Sequence, residues 1–297
     1  MLKPPIAKPG AVLRKLMAEG TVVLPGVFNA ISALSAAHAG AKGLYLSGAG
    51  VTNANLGVPD IALASLGEFA QTASAITAVT QLPVISDADT GFGEALNVRR
   101  TVIEMERAGL AGIHLEDQVS PKRCGHLDGK RVIERGEMAS KLRAAVVSKA
   151  DPSFLIVART DARGVEGLPH ALDRAKAYAD AGADAIFPEG LESESEFEAF
   201  RAAVDIPLLA NMTEFGKTPI IPAYRFEEMG YSLVIFPMTA FRVMLKALDE
   251  TYTELMAKGT QAGIMDRMRT RSELYERLDY AAYDELDRSW SRPIPDP

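Results

Sequence analysis

A short phrase recurs four times along the chain and constrains the fold more than any other feature. In each case a glycine preceded by alanine or methionine is followed, a few residues later, by a short apolar run. Glycine adopts the left-handed conformation at a helix end without steric penalty, so each phrase predicts a helix end followed by a strand. The phrases begin at Ala39, Ala108, Ala181 and Met229, and the runs cover residues 43–47, 112–116, 185–189 and 233–237.

Four further apolar runs lie between these, at residues 21–24, 83–86, 154–158 and 206–210. The two sets alternate, which gives eight strands separated by helical segments such as residues 172–181. Strands that alternate with helices pair in parallel, and eight such units predict an α/β protein with a closed (β/α)8 TIM-type barrel. An open doubly wound sheet is the alternative, disfavoured because no Gly-x-Gly-x-x-Gly follows the first strand.

The chain continues beyond the eighth strand with a mostly helical segment and a proline-rich tail from Arg292. We interpret residues 1–297 as a single barrel domain, with strands within about residues 21–237 and a C-terminal helical extension at 241–290. The extra helices have to pack against something, and an oligomer interface is the natural expectation.

Composition excludes several classes of protein. A net charge of −7 argues against a nucleic-acid binder, which needs clustered excess base. No run approaches the ~18 apolar residues of a membrane span, and the first five residues do not resemble a signal peptide. The single cysteine excludes an internal disulfide and suits a reducing cytoplasm.

Polar residues collect where the predicted strands end, and barrel enzymes carry their chemistry at that face. The polar ends are residues 47–50, 87–89, 114–117, 159–161, 189 and 211–213. Any one of these polar groups could form a turn or cap a helix, but six polar strand ends are hard to explain by turn chemistry alone.

Asp87 and Asp89 are two residues apart and therefore share one face of a strand. Two carboxylates, with water and substrate oxygens, suit Mg²⁺ better than Zn²⁺. The alternative is that the two aspartates only open the glycine-rich loop that follows. Arg159 and Arg242 are planar donors suited to substrate carboxylates, although either could be a surface residue.

The only cysteine lies in Lys122-Arg123-Cys124-Gly125-His126, within a long connection at residues 119–131. Positive charge lowers the pKa of a nearby thiol, which can then donate a proton or attack as thiolate near neutral pH. Long connections at this face of a barrel are often lids. The alternative is a basic surface turn with an incidental cysteine, and His126 taken alone is more typical of a surface histidine.

These residues resemble the isocitrate lyase and phosphoenolpyruvate mutase superfamily. The resemblance covers nearly the whole chain, and the cysteine motif is typical of its carbon–carbon lyases. It rests on residues 45–48, 56–60, 87–93, 116–118, 122–126, 158–161, 187–189, 211–216 and 270–275. One departure is visible, because Ala49 stands where many relatives have a third glycine.

The resemblance implies roles for individual residues. Asp87 and Asp89 would hold Mg²⁺ with support from Glu116, and Cys124 would act as general acid. Tyr45 would be the base for the substrate hydroxyl or a proton relay. The residues implied to bind substrate are Ser47, Gly48, Ala49, Gly125, Arg159, Glu189, Asn211, Met212, Thr213, Arg242 and Arg271.

The implied reaction is retro-aldol cleavage of 2-methylisocitrate to pyruvate and succinate, a step of propionate catabolism. The alternative substrate is 2,3-dimethylmalate or a related 2-hydroxy diacid, and a catalytically silent barrel scaffold is the remote alternative. Cleavage of isocitrate is disfavoured by the short chain and by Phe187 and Pro237. The resemblance also implies a homotetramer whose C-terminal helices exchange between subunits.

Overall fold

The computed structural model describes residue 4 and residues 6–127 and 129–291. The proline-rich tail and most of the N-terminal segment considered above lie outside the described residues. The eight strands are β1 (Val22–Val27), β2 (Leu44–Leu46), β3 (Val84–Asp87), β4 (Gly112–Glu116), β5 (Leu155–Thr160), β6 (Ala185–Pro188), β7 (Leu209–Asn211) and β8 (Leu233–Phe236).

All strand pairs are parallel, in the order β6-β5-β4-β3-β2-β1-β8-β7. A parallel bridge between Ile186 and Leu208 joins β6 to the residue before β7 and closes the ring. The predicted (β/α)8 barrel is therefore confirmed, and the open-sheet alternative is wrong.

Helices alternate with these strands along the barrel. They are α1 (Pro9–Glu19), α2 (Ala30–His38), α3 (Gly48–Val51), α4 (Leu66–Thr77), α5 (Ala95–Arg107), α6 (Arg135–Ser148), α7 (Arg163–Glu166), α8 (Leu168–Asp180), α9 (Glu194–Ala203), α10 (Ala223–Glu228) and α11 (Thr239–Lys258). A π-helical turn at Thr52–Leu56 follows α3.

The glycines of the recurring phrase end helices as predicted. Their φ angles are 91°, 83°, 97° and 76° at Gly40, Gly109, Gly182 and Gly230, in the left-handed region where a side chain is disfavoured. Each helix therefore stops abruptly, and the chain turns into the next strand within a few residues.

Alternation along the strands sorts side chains into two apolar layers. Ile156 and Ala158 of β5 pack outward against the helices, whereas Leu155 and Val157 point into the barrel. The same period continues to Arg159, so the last inward residue of β5 is polar. An apolar barrel interior thus ends in polar side chains at the carboxyl ends of the strands.

The described chain forms two compact units. One comprises residues 6–241 without residue 128, and the other comprises residues 242–291 with Pro4. The second unit is helical, as predicted for the C-terminal segment, with the rest of α11, a 3₁₀ turn at Ala262–Arg267, α12 (Arg271–Arg277) and α13 (Tyr280–Trp290). None of the helices within the described residues is long and apolar enough to cross a membrane.

Candidate active site

The inward face of the strand ends carries the candidate site. In the parallel register Asp87 of β3 lies beside His114 of β4, and Glu116 lies beside Arg159 of β5. Side chains two apart on one strand point the same way, so His114 and Glu116 reach the same interior. The predicted gathering of polar strand ends is what the register produces.

Asp87 and Asp89 are both buried, and the amide of Asp89 donates a 2.8 Å hydrogen bond to Asp87 Oδ1. Lys122 lies between carboxylates, with Nζ 3.0 Å from Asp89 Oδ1 and 2.6 Å from Asp60 Oδ1. The sequence predicts Lys122 as a cation beside the thiol. The structure gives this cation other partners, because the buried ammonium of Lys122 pairs with the carboxylates of Asp60 and Asp89.

The two aspartates differ in their protonation. Burial opposes ionisation of Asp87, but His114, Lys122 and Arg159 lower its pKa below the ordinary value. Burial also lowers the pKa of His114 to about 4, so at neutral pH the ionised state of Asp87 rests on the two permanent cations. Burial, Asp87 and Asp60 raise the pKa of Asp89 to about 7 in spite of Lys122. Asp89 is therefore the harder of the two carboxyls to ionise, because it is buried beside Asp87 and Asp60.

Glu116 fits a supporting position for a cation. It is fully buried, burial raises its pKa well above the ordinary value, and neither of its oxygens accepts a hydrogen bond from the described residues. Among the described residues, no three or more His, Cys, Asp or Glu side chains are placed so that they could hold a metal ion together. Mg²⁺ binds through one or two carboxylates and water, so Glu116 Oε1, which has no hydrogen-bond partner among the described residues, and the buried Asp87 and Asp89 carboxyls fit this ion.

Arg159 forms the positive side of the site. Its Nε lies 2.9 Å from Asp161 Oδ2 and 3.2 Å from Glu116 Oε2, and its Nη1 lies 3.5 Å from Glu189 Oε2. The guanidinium also lies over the ring of Phe187, 5.2 Å from its centroid. Fixed by three carboxylates and a ring, it is a preorganised partner for a carboxylate.

The loop that carries the cysteine reaches the same side chains. A Cβ added to Gly125 would lie 2.4 Å from Glu189 Cγ and 2.6 Å from Arg159 Nη2, which no side chain tolerates. Glycine is therefore required there by the close approach of the backbone. The neighbouring Cys124 is exposed, so its thiol lies at the solvent side of this contact.

His126 is not a surface histidine, and that interpretation is wrong. Its Nε2 lies 3.0 Å from Glu189 Oε1, and its Nδ1 accepts a 3.1 Å hydrogen bond from the amide of Lys217. Burial opposes ionisation of Glu189, but Arg159 and His126 outweigh this effect and hold its pKa well below the ordinary value. His126 thus joins the cysteine-bearing loop to the segment that follows β7.

Tyr45 is fully inside the barrel, with its hydroxyl 2.9 Å from Nε2 of His114 and the two rings stacked at 5.8 Å. Burial and Asp87 raise the pKa of Tyr45 well above the ordinary value, and Arg159 offsets this only in part. A role as base requires a lowered pKa. The surroundings of Tyr45 therefore favour the relay over the base.

The remaining predicted substrate contacts in the barrel unit lie at the same strand ends. Ser47 caps α3, accepting a 3.1 Å hydrogen bond from the amide of Gly50, and a Cβ on Gly48 would lie 2.5 Å from Asp87 Oδ2. Asn211 donates a 3.0 Å hydrogen bond to Glu189 Oε2. Met212 and Thr213 are buried beyond β7, and Ala49 is half-buried in α3.

Arg242 and Arg271 belong to the helical unit, in the first turn of α11 and at the start of α12. Their substrate contacts stay predictions. Two residues that complete the barrel site, Asp60 and Lys130, received no role from the sequence. Asp60 closes the motif Leu56-Gly57-Val58-Pro59-Asp60, which was the signal available for it.

A family model described as phosphoenolpyruvate phosphomutase matches residues 13–256. A curated relative from Aeropyrum pernix, named 2-methylisocitrate lyase, is 52% identical over 293 residues, covering 98% of this chain and 94% of the relative.

Solved structures agree with the sequence relatives. A structure of oxaloacetate acetylhydrolase in complex with the inhibitor 3,3-difluorooxalacetate superposes with a TM-score of 0.91 at 36% identity, covering 98% of this chain and 100% of that chain. A structure of 2,3-dimethylmalate lyase, described as a PEP mutase/isocitrate lyase superfamily member, has a TM-score of 0.90 at 33% identity, with 97% of both chains covered.

Proposed function

The chain belongs to the phosphoenolpyruvate phosphomutase family within the PEP mutase/isocitrate lyase superfamily, and we propose that it cleaves 2-methylisocitrate to pyruvate and succinate with Mg²⁺. It is a lyase of this superfamily, as its curated relatives are. The substrate, the cation and the place in propionate catabolism are the proposal.

One observation carries the proposal most directly. Gly125 of the cysteine motif lies against both Arg159 and Glu189, while the Asp87, Asp89 and Glu116 carboxylates lie at neighbouring strand ends. The proposed acid on the loop, the proposed carboxylate-binding arginine and the proposed cation ligands would therefore meet at one barrel mouth. This combination suits a substrate with several carboxylates that breaks into an oxo acid and a carbanion.

Mg²⁺ would be held by Asp87 and Asp89 with support from Glu116, and it would supply Lewis-acid polarisation of the substrate oxygens. Arg159 would bind a substrate carboxylate, since its guanidinium is already oriented by Asp161 and Glu189. Lys122, whose pKa is raised well above the ordinary value by its carboxylate neighbours against the effect of burial, stays cationic and balances the charge.

Cleavage requires that the hydroxyl proton of the substrate be removed as the adjacent carbon–carbon bond breaks. The oxygen becomes the carbonyl of pyruvate, and the bonding pair stays on the other fragment as a carboxylate-stabilised carbanion. Cys124 would donate the proton that turns this carbanion into succinate. Tyr45 would accept the proton that leaves the hydroxyl and pass its own phenolic proton to Nε2 of His114, 2.9 Å away.

A 2,3-dimethylmalate lyase activity is the second candidate, because a solved enzyme of that name has nearly the same fold at 33% identity. Both reactions release pyruvate or a similar oxo acid from a 2-hydroxy acid. They differ in the second fragment, which carries two carboxylates for 2-methylisocitrate and one for 2,3-dimethylmalate. Recognition of the tricarboxylate would therefore need a further cationic group besides Arg159.

A coupled pyruvate assay on 2-methylisocitrate, isocitrate and 2,3-dimethylmalate tests the proposal. We expect the highest kcat/KM on 2-methylisocitrate and loss of activity in EDTA, restored by added Mg²⁺, because a bound divalent cation would favour the ionised form of Asp89, whose pKa is raised to about 7 without it. Higher kcat/KM on 2,3-dimethylmalate would transfer the assignment to the second candidate. Equal rates with and without EDTA would remove the metal from it.

We also propose a homotetramer in which the C-terminal helices pack on another subunit. A cytoplasmic location remains a prediction that rests on the single cysteine. Large apolar side chains of the helical unit are exposed on the single chain, with 83% of Met256, 74% of Trp290 and 67% of Val243 accessible. Apolar exposure on this scale marks an interface.

Light scattering should therefore give a particle of about four times 31.9 kDa. Met256→Lys is expected to shift the particle toward smaller species, because it places charge in the buried interface, whereas Met256→Leu is expected to leave the mass unchanged. A monomer for the unchanged chain would refute the proposed assembly.

A further inference from the structure

Lys130 lies at the end of the segment that carries the cysteine, and its side chain returns to the barrel. Its ammonium donates hydrogen bonds to the carbonyl of Gly125 and, at 2.8 Å, to Asp161 Oδ1. Only 5% of the side chain is exposed. A long, flexible cation has thus been buried between a loop peptide and a strand-end carboxylate, a costly arrangement unless all its partners are satisfied.

Asp161 is the partner that Lys130 shares with Arg159. Its Oδ1 lies 3.2 Å from Arg159 Nη2 and its Oδ2 lies 2.9 Å from Arg159 Nε. Arg159 and Lys130 keep the pKa of Asp161 low although burial raises it. One ionised carboxylate therefore receives the loop lysine and the substrate-facing arginine together.

Asp161 itself is held in place from the opposite side. Its amide donates a 2.9 Å hydrogen bond to Asp117 Oδ1, and Asp117 Oδ2 accepts from Thr160 Oγ1 at 2.7 Å and from Tyr178 OH at 2.8 Å. The ends of the loop are also fixed, since the amide of Val119 donates to the carbonyl of Arg131 and the amide of Ile133 to that of Asp117. Between these ends, Lys130 contacts the carbonyl of Gly125, the residue directly after Cys124.

We propose that Lys130 is a positioning residue that holds the Gly125–His126 peptide, directly after Cys124, against Arg159 through Asp161. This rests on the proposed function for the role of the thiol, but the contact itself does not. The Gly125 carbonyl belongs to the residue directly after the cysteine, so releasing it frees the backbone that places the acid. Releasing Lys130 also removes one of the two cations from Asp161, which orients Arg159.

The test compares Lys130→Gln and Lys130→Met with Lys130→Arg, which keeps the charge, and with Lys149→Gln. Lys149 is a matched control, because it also forms a 3.0 Å ion pair with a carboxylate, Asp184, and its side chain is only 10% exposed. The readouts are kcat and KM, and amide hydrogen exchange of a peptide covering residues 118–127.

Both neutral variants are expected to lose kcat by about 10²-fold with a smaller change in KM, the cost of a displaced catalytic group. Amide exchange at residues 123–127 should rise in them, whereas Lys130→Arg should retain most of the protection and Lys149→Gln should leave the loop unchanged. If the unchanged protein has no lyase activity, the proposed function fails, and the exchange measurement still decides the contact.

Unchanged exchange in the loop and kcat within twofold of the unchanged protein would overturn the proposal. Failure of both neutral variants to fold, judged by circular dichroism, would also overturn it, because Lys130 would then be required for the fold and not for placing the loop.

Discussion

Replacement of Cys124 by serine is expected to lower kcat by about 10³-fold while KM changes little, since a positioned general acid contributes 10²–10⁴-fold. The hydroxyl has nearly the size of the thiol but is a far weaker acid, so the carbanion would wait for a proton from water. Because Cys124 is exposed, the substitution should not disturb packing.

Release of pyruvate, followed with a coupled dehydrogenase, measures this loss directly. Thermal unfolding of the serine variant should match that of the unchanged protein. Leu127→Ala is the matched control, since Leu127 is 58% exposed on the same loop and has no assigned chemistry. Near-normal turnover of Cys124→Ser would remove the assignment of Cys124 as the acid.

Replacement of Asp87 by asparagine is expected to abolish Mg²⁺ binding and to lower kcat/KM on the order of 10³-fold, equivalent to several kcal/mol of transition-state stabilisation. The amide keeps the shape of the side chain but lacks the charge that attracts a hard cation. Lys122, which balances this cluster, would then face less negative charge and would repel the ion.

Calorimetric titration with Mg²⁺ separates binding from turnover. Asp184→Asn is the control, because Asp184 is also a carboxylate paired with cations, Arg14 and Lys149, but lies apart from the strand ends that carry the site. An Asp87→Asn protein that binds Mg²⁺ as tightly as the unchanged protein would show that Asp87 is not a ligand.

The fold could be predicted because its signals are local. A glycine that ends a helix, an apolar run and the alternation of the two are written in consecutive residues, and all eight strands overlap the expected runs, although β7 begins at Leu209 and not at residue 206. The period of two along a strand also placed His114 with Glu116, whereas Asp89 lies beyond the end of β3, with a φ of 45°, and meets Asp87 through a turn. Parallel pairing then brings the strand ends together whatever the loops do.

The sequence did not predict ion pairs between side chains that are far apart along the chain. Lys122 and His126 are read as loop residues around a cysteine, but one pairs with Asp60 and Asp89 and the other with Glu189. A charged side chain that is removed from water takes the nearest opposite charge, and nothing in its own segment states which one that is.

The sequence by itself thus determined the barrel and the polar strand ends, because residue type and spacing decide these, and the family resemblance implied the acid role of Cys124. Only the tertiary structure decided how the loop is held, through Gly125 against Arg159 and Lys130 against Asp161. The physical reason is burial. Once these groups leave water, each hydrogen bond and charge has to be satisfied by whichever strand end the fold brings within reach.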